Sequence, residues 1–311
     1  MNDILPLPLF NRLADYCGLW SIEPAAFDSL WHMARSLDMA AHMAEPMELR
    51  SALTKQAIPG GKSLAVIGMT GVLMKSQSSL GGTSSIQIRR DIRQASADPD
   101  VGAILLAIDS PGGTVAGTAD LAADVRAARK TKPVWAHVDD LSASAAYWVA
   151  SQAEKIFAND ASALIGSIGT YQILRDYSAM AERDGVKTHV VRTGPLKGLG
   201  TPGTAISDEQ LSHVQQLVNA TQDIFDAAVR KGRGLSAKEL ADVRHGGVML
   251  AGEAQNARLI DGIQPMSKTM NDLSRAAQGY DPRRAEEHGE ARCHAIDALQ
   301  IRRTLPSSIG V

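Results

Sequence analysis

The strongest pattern in the chain is an apolar run, VGAILLAID at 101–109, that stops at the polar, glycine-bearing SPGG. A run with no polar face reads as a strand buried on both sides, as in sheets covered by helices. Other segments extend the pattern. LAVIGMTGVLM at 64–74 reads as a strand or hairpin, KPVWAHV at 132–138 as a strand opened by Pro133, and EKIFAN at 154–159 as a short strand. VKTHVVR at 186–192 is predicted as a further strand. Helices are expected near 84–96, 116–130 and 173–184, with another over SASAAYWVASQA at 142–153. Residues 208–232 form one long amphipathic pattern, capped by Ser207 with Glu209 and Gln210 in its first turn. Strands alternating with helices imply an α/β fold, a sheet covered by helices. No GxGxxG follows the first strand, so the loops are not those of a dinucleotide-binding fold.

The flanks differ. Residues 1–50 carry helical periodicity, with Leu13, Trp20, Phe27, Leu30, Trp31 and Leu37 on plausible helix faces and Ser21 as a cap before EPAAF. Residues 51–63, SALTKQAIPGGKS, read as a linker, and beyond about 264 the charges scatter, no strand pattern remains and the segment reads as a partly helical tail. The expected organisation is an N-terminal helical segment and linker over 1–60, a main domain over 61–265, and a C-terminal tail over 266–311.

Composition changes this picture little. With 311 residues, 44% of them hydrophobic, the chain can bury a sizeable core. A net charge of −2 gives no reason to expect nucleic acid or an anionic membrane as partner. Cys17 and Cys293 lie near opposite ends, which fits a reducing compartment, and neither CxxC nor HExxH occurs, so no metal or cofactor is expected. The first residues lack a basic stretch followed by a long apolar one, and no apolar run has the length of a membrane span. The expected location is the cytoplasm.

Three loops of small residues fall at the ends of expected strands, where ligands bind in α/β sheets: SPGG at 110–113, SASAA at 142–146 and GSIG at 166–169. Glycines after Pro111 leave backbone N–H groups available to an oxyanion, or simply make a strand-to-helix turn. Ser144 is either a helix cap or a nucleophile; if it is a nucleophile, Ser142 is the better cap. A histidine base would be His137 or His189, either of which also reads as a packed or surface residue. Lys197, in the Gly/Pro-framed RTGPLKGLGTPG, is the other base, provided burial keeps it neutral.

Taken in order, DSPGG (109–113), SASAAYW (142–148), GSIG (166–169) and TGPLKG (193–198) resemble the signal peptide peptidase A family of serine proteases, family S49. More narrowly, the chain resembles the phage and prophage head-maturation branch. GGVMLAGEAQNARLIDGI at 246–263 is similar to that family's closing helix and turn, so the resemblance covers about two thirds of the chain. It implies a ClpP/crotonase-like fold and a Ser-Lys endopeptidase. Ser144 would be the nucleophile, Lys197 the general base, Ser167 its supporting hydroxyl, and Gly112 and Gly113 the oxyanion stretch. Ala145 and Ala146 stand where many members have Gly-Gly. The resemblance also implies protein substrates such as scaffold or capsid proteins, a homo-oligomeric ring, and Ser and Lys drawn from neighbouring subunits. The place of action would be the bacterial cytoplasm or the phage prohead. Two other readings share the fold: a non-catalytic capsid-assembly protein, and a crotonase-like acyl-CoA enzyme.

Overall fold

The apolar run at 101–109 lies in the interior of the main sheet, as its lack of a polar face requires. The computed structural model describes residues 18–36, 51–77 and 82–280. Within them the strands are β1 (Trp20–Ile22), β2 (Leu53–Ala57), β3 (Ser63–Thr70), β4 (Leu73–Met74), β5 (Thr83–Ser84), β6 (Val101–Ser110), β7 (Gly112–Thr114), β8 (Val134–Ala143), β9 (Lys155–Ala158), β10 (Leu164–Gly166), β11 (Val248–Leu250) and β12 (Gly262–Ile263). The helices are α1 (Pro24–Ser36), α2 (Ser85–Ala97), α3 (Thr118–Ala128), α4 (Ala145–Ala150), α5 (Ser178–Arg183), α6 (Asp208–Arg233), α7 (Ala237–Ala241), α8 (Ala251–Asn256) and α9 (Met266–Gln278).

The main sheet runs β11-β10-β8-β6-β3-β2, with β9 pairing to β8 and β12 to β9. Pairings among β3, β6, β8, β9, β10 and β12 are parallel, and the outer strands β2 and β11 are antiparallel to their neighbours. β8 forks. Its first half pairs with β9 (Trp135 opposite Lys155) and its last residues with β10 (Ser142 opposite Ile165). Its register against β6 also breaks: Ile108 faces Val138, but the next pair is Ser110 and Ser142. Residues 139–141 of β8 therefore oppose Asp109 alone, a bulge that bends the strand and re-aims its end. A second sheet, β1-β7-β4-β5, stands where β6 gives way to the glycine stretch.

Helices cover both faces of the main sheet. On one, Ile88 and Ile92 of α2, Leu121 and Val125 of α3 and Trp148 of α4 join the core with Ile104, Leu106 and Val138. On the other, Leu273 of α9 is buried against Leu64, Ala103, Leu105 and Trp135. The long helix α6 begins with the expected Ser207 cap, which forms a full capping box with Gln210. Its Phe225 ring stacks on Trp148, centroids 4.7 Å apart. Its Gly232 passes so close to α4 that a Cβ there would lie 2.0 Å from the Ser151 carbonyl oxygen. Arg233 pairs with Asp261 at 3.0 Å, and Tyr147 donates its hydroxyl to the Leu259 carbonyl at 2.9 Å, so α6 and α4 both hold the stretch leading into β12.

Four expectations change. Trp20–Ile22 is a strand rather than part of a helix, and Ser21 sits inside it rather than capping α1; Glu23 takes that place, its carboxylate accepting the Ala26 N–H at 3.0 Å. The linker at 51–63 contains β2, which finds its partner in the edge of β3. Residues 186–192 form no strand: Val191 is fully exposed (100%) and no neighbouring edge pairs with them. The residues after 265, placed in the tail, form α9 and close one face of the sheet. Leu13, Leu37, Cys17, Cys293 and the tail beyond 280 lie outside the described residues.

The α4–α6 contact supports a direct test. Phe225→Ala should lower unfolding stability by about 3–5 kcal/mol, whereas Ile224→Ala, at the exposed neighbouring position, should stay within about 0.5 kcal/mol. Urea unfolding of the two variants beside the parent measures both values.

Candidate active site

Ser144 stands at the junction of β8 and α4 with φ 57° and ψ −120°. A side-chain-bearing residue avoids that region, at a cost of about 1–3 kcal/mol. Two backbone bonds hold it there: Ser144 N–H to the Gly166 carbonyl at 2.7 Å, and Trp148 N–H to the Ser144 carbonyl at 2.8 Å. The junction is fully buried. The Ser144 Oγ lies 2.6 Å from the Ser21 Oγ and 3.4 Å from the Gly169 carbonyl oxygen, and the Ser21 hydroxyl reaches that same carbonyl at 3.1 Å.

The small residues around Ser144 are there because backbone passes against backbone. At Gly112 (φ 95°) a Cβ would lie 2.4 Å from the Ser21 carbonyl oxygen and 2.9 Å from both the Ala143 carbonyl oxygen and the Ala145 nitrogen. At Gly113 it would lie 1.7 Å from the Leu73 carbonyl oxygen. The DSPGG motif is thus not a plain turn: Gly112 and Gly113 form β7, beside the Ser144 elbow. In this state the Gly112 N–H donates to the Ser110 Oγ at 3.2 Å, which in turn donates to the Gly71 carbonyl at 2.6 Å. Gly113 is paired opposite Ser21.

Ser167 is also held in the left-handed region (φ 49°) and is buried, with its hydroxyl donating to the Gly246 carbonyl at 3.1 Å and its N–H to the Gly247 carbonyl at 2.7 Å. Sequence places Lys197 with these serines, but the chain does not bring it to them. Lys197 is exposed, and among the described residues no hydrogen bond or ion pair joins it to Ser144 or Ser167. Its loop is nonetheless fixed from behind: the Pro195 carbonyl accepts from Gln210 of α6 at 2.9 Å and from Arg192 at 2.8 Å. Neither His137 nor His189 offers a base to Ser144. His137 is buried with Nδ1 3.0 Å from the Thr269 hydroxyl, its pKa lowered by desolvation, and His189 is exposed.

Ser21 was missed as a site residue, because its segment was read as helical. The available signal was Pro24, which opens α1 and leaves the preceding WSI free to run extended.

The architecture resembles the ClpP and enoyl-CoA hydratase structures; a putative enoyl-CoA hydratase/isomerase from Acinetobacter baumannii matches with TM-score 0.47 and 13% identity over 81% of this chain and 91% of that one. Residues 126–279 match Peptidase family S49, so that stretch of the chain is similar to the S49 peptidases. Capsid assembly protease C of Escherichia phage lambda is 31% identical over 82% of this chain and 58% of its own length. Head-tail preconnector protein GP5 of Enterobacteria phage P21 is 32% identical over 74% and 46%. The chain thus spans about half the length of these relatives. Among the described residues no group of His, Cys, Asp or Glu is placed to hold a metal ion, and no helix is long and apolar enough to cross a membrane.

One carboxyl borders the site. Asp109, half-buried at the end of β6, has its pKa raised by burial first and then by Asp140 and Asp139 on the β8 bulge. A raised acid stabilises the fold while protonated, and that contribution is lost as pH rises from the ordinary value near 3.8 through the raised one. Asp109→Asn should therefore melt higher than the parent at pH 7, with the difference shrinking toward pH 4. Thermal melts at the two pH values measure this.

Proposed function

We propose that the chain is a serine endopeptidase with Ser144 as nucleophile, Lys197 as general base, and head or scaffold proteins as substrates. The observation that carries the reading is the Ser144 elbow, a hydroxyl held in a strained conformation beside the glycine backbone of β7, in a chain related to the S49 peptidases. The names of two relatives, a capsid assembly protease and a head-tail preconnector protein, favour phage heads as the setting.

The chemistry runs as follows. Neutral Lys197 Nζ takes the proton from Ser144 Oγ as the oxygen attacks a peptide carbonyl. N–H groups of the Gly112 and Gly113 stretch receive the oxyanion, and one such donor contributes roughly 3 kcal/mol. Lys197 passes its proton to the leaving amine, and a water activated by the same lysine then releases the acyl group from Ser144. Ser167 orients the lysine. The exposure of Lys197 in a single chain gives this scheme a second part: the dyad is completed on assembly. Exposed Ile173, Tyr177, Met180, Val186, Val191 and Leu196 lie in the segment around it and suit burial against another copy.

Mixing tests the scheme. Ser144→Ala and Lys197→Ala should each abolish cleavage of an unfolded protein, read by intact-mass analysis. Assembled together from unfolded chains, the two variants should regain roughly a quarter of parental activity if each site combines two subunits. Cleavage by Ser144→Ala alone would end the proposal. No recovery on mixing, with both singles dead, would place both groups in one chain.

A further inference from the structure

The Ser144 hydroxyl is hidden by a piece of the same chain. β1 pairs antiparallel with β7, placing Trp20, Ser21 and Ile22 opposite Thr114, Gly113 and Gly112. The ladder continues past both ends: Glu23 N–H donates to the Pro111 carbonyl at 2.8 Å, and Val115 N–H to the Leu19 carbonyl at 3.1 Å. The other edge of the segment is paired too. Trp20 and Tyr171 exchange N–H to carbonyl bonds, both of 2.9 Å. A three-residue strand laddered along one edge and bridged at Trp20 on the other lies as an extended peptide lies in a groove.

The fit of its side chains follows. Trp20 and Ile22 point into a small cluster with Phe27, Met74, Val72 and Tyr171, separate from the main core. The Trp20 and Phe27 rings meet edge to face at 5.1 Å, so α1 folds back to hold the strand in place. Ser21 faces the opposite way and sets its hydroxyl 2.6 Å from that of Ser144. This geometry cannot react. Ser144 meets a side-chain hydroxyl, while the Ser21 carbonyl oxygen is packed against Gly112, and Gly113, the other glycine of the expected oxyanion stretch, is paired with Ser21.

We infer that Trp20–Ile22 is a self-blocking strand, which fills the peptide groove beside Ser144 and must withdraw before an extended segment of another protein can enter. The incoming segment would repeat its pattern, apolar residues on either side of a small one. Because its apolar cluster is separate from the main core, the strand can leave while the sheet stays folded. The inference rests on the reading of Ser144 as nucleophile, but the block can be measured without catalysis.

A Ser144→Cys chain in which Cys17 and Cys293 are replaced by serine provides the probe. Its single thiol should react slowly with a maleimide while Trp20 and Ile22 are in place, and at least about tenfold faster once Trp20→Ala and Ile22→Ala are added. A synthetic peptide of residues 18–24 should restore protection to the opened protein. Ser21→Pro, which removes a ladder N–H and leaves the apolar cluster intact, gives an independent opening should the double variant not melt cooperatively. Equal labelling in the closed and opened forms, or no protection by the peptide, overturns the inference. Cleavage assays with Ser144 intact separate the two readings. Fast labelling of the opened form with no cleavage by any form keeps the block and removes the peptidase. Cleavage by the unaltered chain as fast as by the opened one removes the block and keeps the peptidase.

Discussion

The parallel pairing of β6 with β8 sets everything else in place. Both strands are apolar on both faces along most of their length, so they can exist only between helices, and the helices follow from that need. The chain then leaves the two strands at neighbouring points. β6 runs into the glycines of β7, and β8 turns into α4 through Ser144. The hydroxyl and the glycine backbone meet because two adjacent parallel strands end side by side. That is the usual reason why ligand sites in α/β proteins lie at the carboxyl ends of strands.

Where one element's chemistry was self-sufficient, the sequence was readable. The run at 101–109 needed no partner to be recognised, and Ser207 with Gln210 carried its own local hydrogen bonds into the start of α6. Elements defined by a neighbour were not readable. β2 exists because the edge of β3 is open to it, and its own residues, LTKQA, are mostly polar and exposed. Residues 186–192 show the reverse: they have the composition of a strand and no edge to join. α9 was legible only as part of a partly helical tail, because Met266, Met270 and Leu273 among polar and charged residues give a weak face until the sheet it covers is known.

The site divides the same way. Crowding by small residues marked Ser144 and the glycines, and the structure supplies the cause: backbone contacts at Gly112 and Gly113 that leave no space for a Cβ. The left-handed backbone of Ser144 and Ser167 was not readable, since serine gives no hint of positive φ; tertiary bonds, to Gly166 and Gly247 among them, hold it. Lys197 was placed by its motif alone. A motif fixes which residue is present, not what it touches, and here the loop is anchored to α6 while the amine faces outward.

The bulge in β8 has a consequence of a numerical kind. Between the paired positions Ile108 with Val138 and Ser110 with Ser142, one strand has a single residue and the other has residues 139–141. The surplus is even. Sides of a strand alternate with each residue of extended backbone, so across an extended stretch an even surplus returns the chain to the phase in which it entered, and an odd one would invert it. Asp139 and Asp140 are exposed, and their chemical type is open to drift. Their count is not: the orientation of the Ser144 elbow is a matter of parity, decided upstream of any residue of the elbow itself.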